Sequence, residues 1–317
     1  MRLSILTPTY NYGRFLGDAI ASVAEQDGPT AEHVVIDAGS SDETVAVLQA
    51  APPNVVWRSE PDKGQSDGLN KALALASGDW IGWLNADEFY LPGAFAAHRR
   101  AVADRPDADL VYGDAVFTDV EGKVLRLVAQ HSFSSRVLRW NRCNISSCAM
   151  FVRRDAIPHR GWDVELKAMM DWDLYLEVLA GGRRIVHLRQ PIGAFRVHPD
   201  QVTAEPLPRD HPDLPRLERR HRRPGGWTRP VAHRLGEFEH RVLKVAEGGL
   251  RRELRTRALR GTDLRWFASS GGMVGARAVE EAASAARPTR LSRGDEHQAR
   301  GRAGVAIDDA VESDGEP

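Results

Sequence analysis

The residues of this chain whose types and spacing point to chemistry are carboxylates at the ends of apolar runs. The run 33–37 ends in Asp37, which is followed by Ala38-Gly39-Ser40-Ser41-Asp42. A carboxylate in that position either braces a glycine turn or faces a ligand. The run Trp80-Ile81-Gly82-Trp83-Leu84 passes directly into Asn85-Ala86-Asp87-Glu88. Adjacent carboxylates are the hard oxygen ligands that Mg2+ or Mn2+ prefers, with an acidic surface loop as the alternative. In Met169-Met170-Asp171-Trp172-Asp173-Leu174, apolar residues at helical spacing leave Asp171 at a helix start. The helix dipole favours its charged form there, which suits a general base, although an ordinary first-turn cap carries the same signature. Phe195-Arg196-Val197-His198 closes a short β-like run and offers a nitrogen ligand in His198.

Elements of alternating type must position these groups. Short β-rich runs at 3–7, 33–37, 55–58 and 80–84 alternate with helical patterns at 15–26 and 66–76, and with a helix start at Ser40-Ser41. Strands separated by helices of this length imply right-handed crossovers and a mainly parallel sheet. Such a sheet binds ligands beyond the carboxyl ends of its strands, which is where Asp37 and Asp87 fall. Residues 110–114 and 123–129, joined across Asp119-Val120-Glu121-Gly122, read as a hairpin.

Composition narrows the function classes. The chain has 317 residues, 42% apolar and 27% charged, which is globular rather than fibrous or wholly disordered. Its 43 basic residues nearly cancel its 44 acidic ones, so no global pull on nucleic acid is expected. Two cysteines, Cys143 and Cys148, are too few for a disulfide framework and read as buried small groups or loop thiols. No run of apolar residues is long enough to span a membrane, and the N-terminus does not read as a secretory signal, so a cytoplasmic chain is expected. A dinucleotide fold would need G-x-G-x-x-G after the first strand, where only Gly13 stands.

The segments taken in order resemble the family 2 glycosyltransferases, which have the GT-A fold. The resemblance rests on Thr7-Pro8-Thr9-Tyr10-Asn11, on Ile36-Asp37-Ala38-Gly39-Ser40-Ser41-Asp42, and on the stretch from Glu60-Pro61-Asp62-Lys63-Gly64-Gln65 to Lys71. It continues through Gly78-Asp79-Trp80 to Asp87, Met170-Asp171-Trp172-Asp173-Leu174 and Phe195-Arg196-Val197-His198, and covers residues 1–203. It implies an α/β, Rossmann-like mixed sheet flanked by helices, and an inverting transfer of a hexosyl- or deoxyhexosyl-type sugar from a nucleotide-diphosphate donor to an acceptor hydroxyl. UDP- or dTDP-sugars are the favoured donors. A glycan or lipid-linked acceptor, in bacterial-type glycan, polysaccharide or cell-wall assembly, is implied as well.

Carried over by position, the resemblance gives Thr9, Asp37, Lys63, Gly64, Asp67 and Asn85 to the donor. It gives Asp87 and His198 to a Mg2+ or Mn2+ ion, and Asp171 the role of catalytic base. Asn85 stands where the family's acidic motif often begins with Asp, which removes one negative charge from the expected cation site. Two rivals from other classes remain: a nucleotidyltransferase, and a non-catalytic nucleotide- or glycan-binding scaffold of the same fold. The first would need a basic triphosphate loop, and Arg14 is the only basic residue in 7–26.

The rest of the chain differs in charge. Residues 1–204 carry 21 Lys/Arg against 26 Asp/Glu, residues 205–260 carry 15 against 8, and residues 294–317 carry 2 against 7. A basic helical extension over 204–267 and a weakly ordered tail over 268–317 are expected, with Leu264-Arg265-Trp266-Phe267 as the last anchor. Within the extension, Val231, Leu235, Phe238, Val242 and Val245 form the apolar face of a helix over 231–247. Packing of that face on the catalytic domain or on a partner chain is the favoured reading, and a peripheral seat on an anionic membrane surface is the alternative. Asp114 reads as an acceptor-side residue or a turn residue, and Arg153-Arg154 as a solvated pair or an anion contact.

Overall fold

A computed structural model of the chain describes residues 1–201, 211–224 and 226–265. The boundary expected near 204, Trp266, Phe267 and the tail from 268 lie outside the described residues.

The first half alternates as its pattern requires: β1 (Leu3–Thr9), α1 (Gly13–Ala24), β2 (Glu32–Asp37), α2 (Thr44–Gln49), β3 (Val55–Ser59), α3 (Gln65–Leu75) and β4 (Trp80–Trp83). After β5 (Phe89–Tyr90) and α4 (Ala94–Asp104) comes the hairpin of β6 (Leu110–Thr118) and β7 (Val124–Val128). Then follow α5 (Ser135–Trp140), β8 (Met150–Arg153), α6 (Met170–Ala180), β9 (Ile185–Arg196), α7 (Leu214–His221), α8 (Arg229–Ala246) and α9 (Gly249–Thr256).

One nine-stranded sheet runs in the order β3-β2-β1-β4-β8-β6-β9-β5, with β7 on β6. The β3-β2-β1-β4 half is parallel, as expected. Beyond β4 the sheet turns mixed, because β8 runs antiparallel between β4 and β6 while β9 is parallel to β6. Leu6, Val34, Ile36 and Ile81 are wholly buried on these strands and meet Leu69 and Ala72 of α3 and Leu174 and Tyr175 of α6 in one core. Full burial of both sheet faces is why these strands read as continuous apolar runs.

Several expectations are corrected locally. The Ser40-Ser41 hydroxyls do not cap α2. Instead Asp42 accepts from the Thr44 amide and from the Gly13 amide at the start of α1, so one carboxylate serves the amino ends of two helices. Asp114 is neither a turn residue nor a cavity residue. It is fully buried within β6, where it meets His187 at 3.1 Å and Arg252 at 3.2 Å and so fastens α9 to the sheet. Arg153 and Arg154 are not a solvated pair. Arg153 donates to the carbonyls of Pro106 and Ala108, and Arg154 to those of Leu73, Ala76 and Gly78 at the end of α3.

The extension packs on the domain through Leu214 and Leu217 of α7, which join the main core, and, on α8, through polar and small residues. Arg216 and Arg220 of α7 reach Asp163 at 2.8 and 2.5 Å. On α8 the buried residues are Ala232, Gly236 and His240. A Cβ on Gly236 would lie 2.7 Å from that of Asn141, so glycine is what lets α8 approach α5. His240 Nδ1 lies 2.9 Å from His131 Nε2, and Glu239 pairs with Arg136. The helix ends at Gly248, whose positive φ few other residues would accept. Its apolar face is therefore not the packed face: Val231, Leu235, Phe238, Val242 and Val245 all point outward and are exposed. This overturns packing on the domain, because the polar and small-residue stripe, not the apolar one, matches the polar surface of α5.

Candidate active site

Strand ends supply one side of the site. A cavity of about 630 Å³ opens beyond β1, β2 and β4, lined there by Thr9, Tyr10, Ala38, Asn85 and Asp87. Asp62, Gly64 and Gln65 line it at the amino end of α3, and Asp171 at the amino end of α6. It closes with Asp200 and Gln201, just past β9. The positive amino ends of two helices thus face a concave site rimmed by carboxylates, an arrangement suited to an anionic ligand.

The carboxylate of Asp87 and the imidazole of His198, 111 residues apart in the chain, meet with Oδ2 and Nε2 separated by 3.0 Å. The His198 ring is held by aromatic edges, with Phe15 at 4.9 Å and Tyr12 at 5.6 Å between centroids. Its backbone amide donates to Gln201. Arg14 pairs with Asp200 at 2.6 Å, and the Tyr12 hydroxyl donates to the Asp200 carbonyl, so the segment after β9 is tied to α1.

The two neighbours of Asp87 in its motif are committed elsewhere. Asn85 Oδ1 accepts from Gln65 Nε2 at 2.6 Å and from the Trp83 indole at 2.8 Å, which leaves little of that oxygen for a cation. Glu88 is buried and accepts from the Asn85 amide at 3.0 Å. Burial, and then the charge of Asp87, push its carboxyl well above the usual range, which disfavours its charged form. Of the acidic motif, Asp87 alone remains as an anionic ligand. One carboxylate and one imidazole suit a divalent ion that takes its other ligands from phosphate oxygens and water, and the nitrogen donor suits Mn2+ better than Mg2+.

Asp171 occupies the first turn of α6 at the cavity wall. Its Oδ1 accepts from the Trp172 amide at 2.7 Å, and the Cys143 thiol donates to Oδ2 at 3.6 Å. Burial pushes its pKa up to about 6, which leaves it ionised at neutral pH yet basic enough to take a proton. The Trp172 indole donates to the Leu138 carbonyl of α5, and the Arg223 guanidinium covers its ring at 3.8 Å. Trp172 is thereby a core residue, and its helix is fixed in rotation.

The structure brings Thr9, Gly64, Asn85, Asp87 and Asp171 to one cavity, with His198 directly behind Asp87. The Thr9 hydroxyl is buried with no partner, which leaves a polar group at the cavity wall without a bond. Three other candidates do not line the cavity. Asp37 is fully buried and accepts from the Ser40 amide and from the hydroxyls of Ser40 and Ser59, so it braces the turn after β2. Asp67 caps α3 by accepting from the Lys63 amide and pairs with Lys71 at 3.7 Å. Lys63 itself is exposed beside that cap. Residues not singled out in the sequence, Asp62, Gln65, Ser147 and Asp200, line the cavity. Asp62 and Gln65 flank the Lys63-Gly64 pair and were legible there, whereas nothing local marks Ser147.

A second acidic cluster lies elsewhere: the ligand atoms of Asp173, Glu177 and His221 fall within 4.8 Å of one another. Arg160 and Arg220 reach Asp173 at 2.6 and 2.9 Å, so its charge is already met by guanidinium groups. This cluster ties α7 to α6 and leaves no uncompensated charge for a cation.

Comparison with known proteins bears on the family and the fold. Residues 4–161 match the family described as Glycosyl transferase family 2. A PGL/p-HBAD biosynthesis glycosyltransferase of Mycobacterium bovis is 28% identical over 176 residues, 54% of this chain and 66% of that protein. The chain therefore matches just under two thirds of that relative's length. An uncharacterized glycosyltransferase of Mycobacterium tuberculosis is 35% identical over 114 residues, 35% of this chain and 44% of that protein. Among solved structures, TarS 1-349 of S. aureus in complex with UDP-GlcNAc has a TM-score of 0.57 at 16% identity, covering 81% of this chain and 78% of that one. The mannosyltransferase PcManGT of Pyrobaculum calidifontis, in complex with GDP-Man and Mn2+, has a TM-score of 0.55 at 20% identity, covering 90% and 79%. These likenesses establish the GT-A fold.

Proposed function

Residues 4–161 belong to glycosyl transferase family 2, and on that premise we propose that this protein moves a sugar from a nucleotide-diphosphate donor to an acceptor hydroxyl with inversion. The observation that carries the proposal is the convergence of Asp87 and Asp171 on one cavity, with His198 3.0 Å from Asp87 behind its wall, from three distant parts of the chain. The donor lies along the strand ends, with the orphaned Thr9 hydroxyl and the amino end of α3 at Gly64 as its polar contacts. Asn85 is held by Gln65 and Trp83 and shapes the donor side through its amide. Asp37 and Asp67 act at one remove, by fixing the turn after β2 and the cap of α3.

Asp87 and His198 would hold a divalent cation, Mn2+ or Mg2+, which would supply Lewis-acid neutralisation of the departing diphosphate. Asp171 takes the proton of the acceptor hydroxyl while that oxygen bonds to the anomeric carbon. The bond from that carbon to the diphosphate oxygen breaks on the opposite face. General-base help of this kind contributes roughly 10²–10⁴-fold. UDP- and dTDP-sugars are the first donors to test, with GDP-sugars next because PcManGT was solved with GDP-Man. A glycan or lipid-linked acceptor is the one that the family resemblance implies, and it is the first class to test.

The test is release of nucleoside diphosphate from each sugar donor, with and without Mn2+ and with a panel of glycan and lipid-linked alcohols. Acceptor-dependent release that needs the cation is the expected result. Binding of a sugar nucleotide with no turnover on any acceptor would point to a scaffold, and pyrophosphate release from a triphosphate to a nucleotidyltransferase.

A further inference from the structure

Folding turns an apolar surface outward along α8. Trp227 is 87% exposed and Phe238 68%, and Val231, Leu235, Val242 and Val245 continue the same stripe at helical spacing. Nothing about this helix requires that arrangement for packing, since its inner face is Ala232, Gly236 and His240. α9 adds Leu250 and Leu254, both about half exposed. Single exposed apolar residues are ordinary in folded proteins, but a continuous row along one helix marks an interaction surface.

Charge identifies the occupant. Arg234, Arg251 and Arg255 are exposed on these two helices and make no ion pair among the described residues. Residues 205–260 carry 15 basic groups against 8 acidic ones. The acidic residues of α8 and its end, Glu237, Glu239 and Glu247, are turned inward and engage Arg142, Arg136 and Ser132. What faces outward is apolar in the centre and positive around it. A second copy docking the same face would set arginines against arginines, whereas an anionic lipid surface complements both features.

We propose that α8 and α9 seat the protein on an anionic membrane surface, with the α8 stripe inserted at the headgroup boundary and the arginines on lipid phosphates. α8 packs on α5, and the α5 carbonyl of Leu138 accepts from Trp172, the neighbour of Asp171, so the seat is joined to the helix of the candidate base through packed elements.

The test is co-sedimentation of the full chain with vesicles of phosphatidylcholine alone and of phosphatidylcholine with phosphatidylglycerol, at low and high salt, with no sugar donor present. Vesicle binding can then fail or succeed independently of the transferase reading. Binding to the anionic vesicles that weakens with salt is expected. The double variant Leu235→Glu, Phe238→Glu should partition about a hundredfold less, from the lost transfer of two large side chains. Because both residues are exposed, its melting temperature should match the wild type. Failure of the wild type to bind anionic vesicles, or unchanged binding by the double variant, would overturn the proposal. A dimer in solution that the double variant dissolves would overturn it in favour of a second copy.

Discussion

Replacing Asp171 by Asn should impair catalysis and strengthen the fold at the same time. Burial raises its carboxyl from the usual 3.8 to about 6, so the folded state carries the ionised form at a cost. Two pKa units at about 1.4 kcal/mol each amount to a penalty of about 3 kcal/mol at neutral pH. The sign follows from proton counting. Below the unfolded value both states are protonated and there is no penalty. Between the unfolded value and about 6 the folded state binds more protons, so stability falls as pH rises, and above about 6 the penalty is constant. Asn is neutral and can still accept from the Trp172 amide, so the variant escapes the penalty. At about 2 °C per kcal/mol in a chain this long, its midpoint should rise by about 6 °C at pH 7.5 and by only about 1 °C at pH 4. Turnover should fall by about 10²–10⁴-fold with donor affinity preserved. Thermal melts across pH 4–8, run beside donor-binding and transfer assays, would check both halves. A variant that is less stable at pH 7.5, or that retains full turnover, would refute the reasoning.

Other consequences follow from the same geometry. The acid limb of the transfer rate should titrate near pH 6, with activity lost below it as Asp171 takes up its proton; a limb set only below pH 4 would contradict the base assignment. His198→Ala should raise the Mn2+ concentration needed for half-maximal turnover by more than the roughly 10–100-fold that losing an outer partner of a metal costs, and a cation titration of activity reads this directly. Glu88→Gln should perturb melting temperature and turnover little, because burial disfavours the charge that the substitution removes; a large loss of either would show that Glu88 acts ionised. Arg252→Ala should destabilise the protein by about 3–5 kcal/mol by stripping a guanidinium from the fully buried Asp114, measured by denaturant unfolding.

The family, the fold and the order of the first four strands and three helices were written in local pattern. Apolar runs such as 33–37 and 80–84 can only be strands of a sheet buried on both faces, and the polar residues that end them fall at its carboxyl edge whatever the details of packing. Asp87 and Asp171 were legible for that reason: each sits at the end of an element whose type its own neighbours dictate. His198 was legible as a residue type at a β-like end, but its meeting with Asp87 depends on β9 lying in the sheet beside β6, which no nearby residue encodes.

Tertiary structure decided which polar groups are spent on the fold and which are left for a ligand. Asp37, Asp67 and Asn85 share the composition of binding residues, and only the structure shows what each also does for the fold: bonds to Ser40 and Ser59, to the Lys63 amide, and to Gln65 and Trp83. Thr9, which the resemblance gives to the donor, has a buried hydroxyl at the cavity wall with no partner among the described residues. The same holds at α8, where periodicity fixed a helix with one apolar face. Which face meets the domain was settled by Gly236 against Asn141 and by His240 against His131, contacts made across about a hundred residues of chain. Local sequence sets element type because backbone and neighbouring side chains act over a few residues, whereas the pairing of polar groups across the sheet belongs to the assembled core alone.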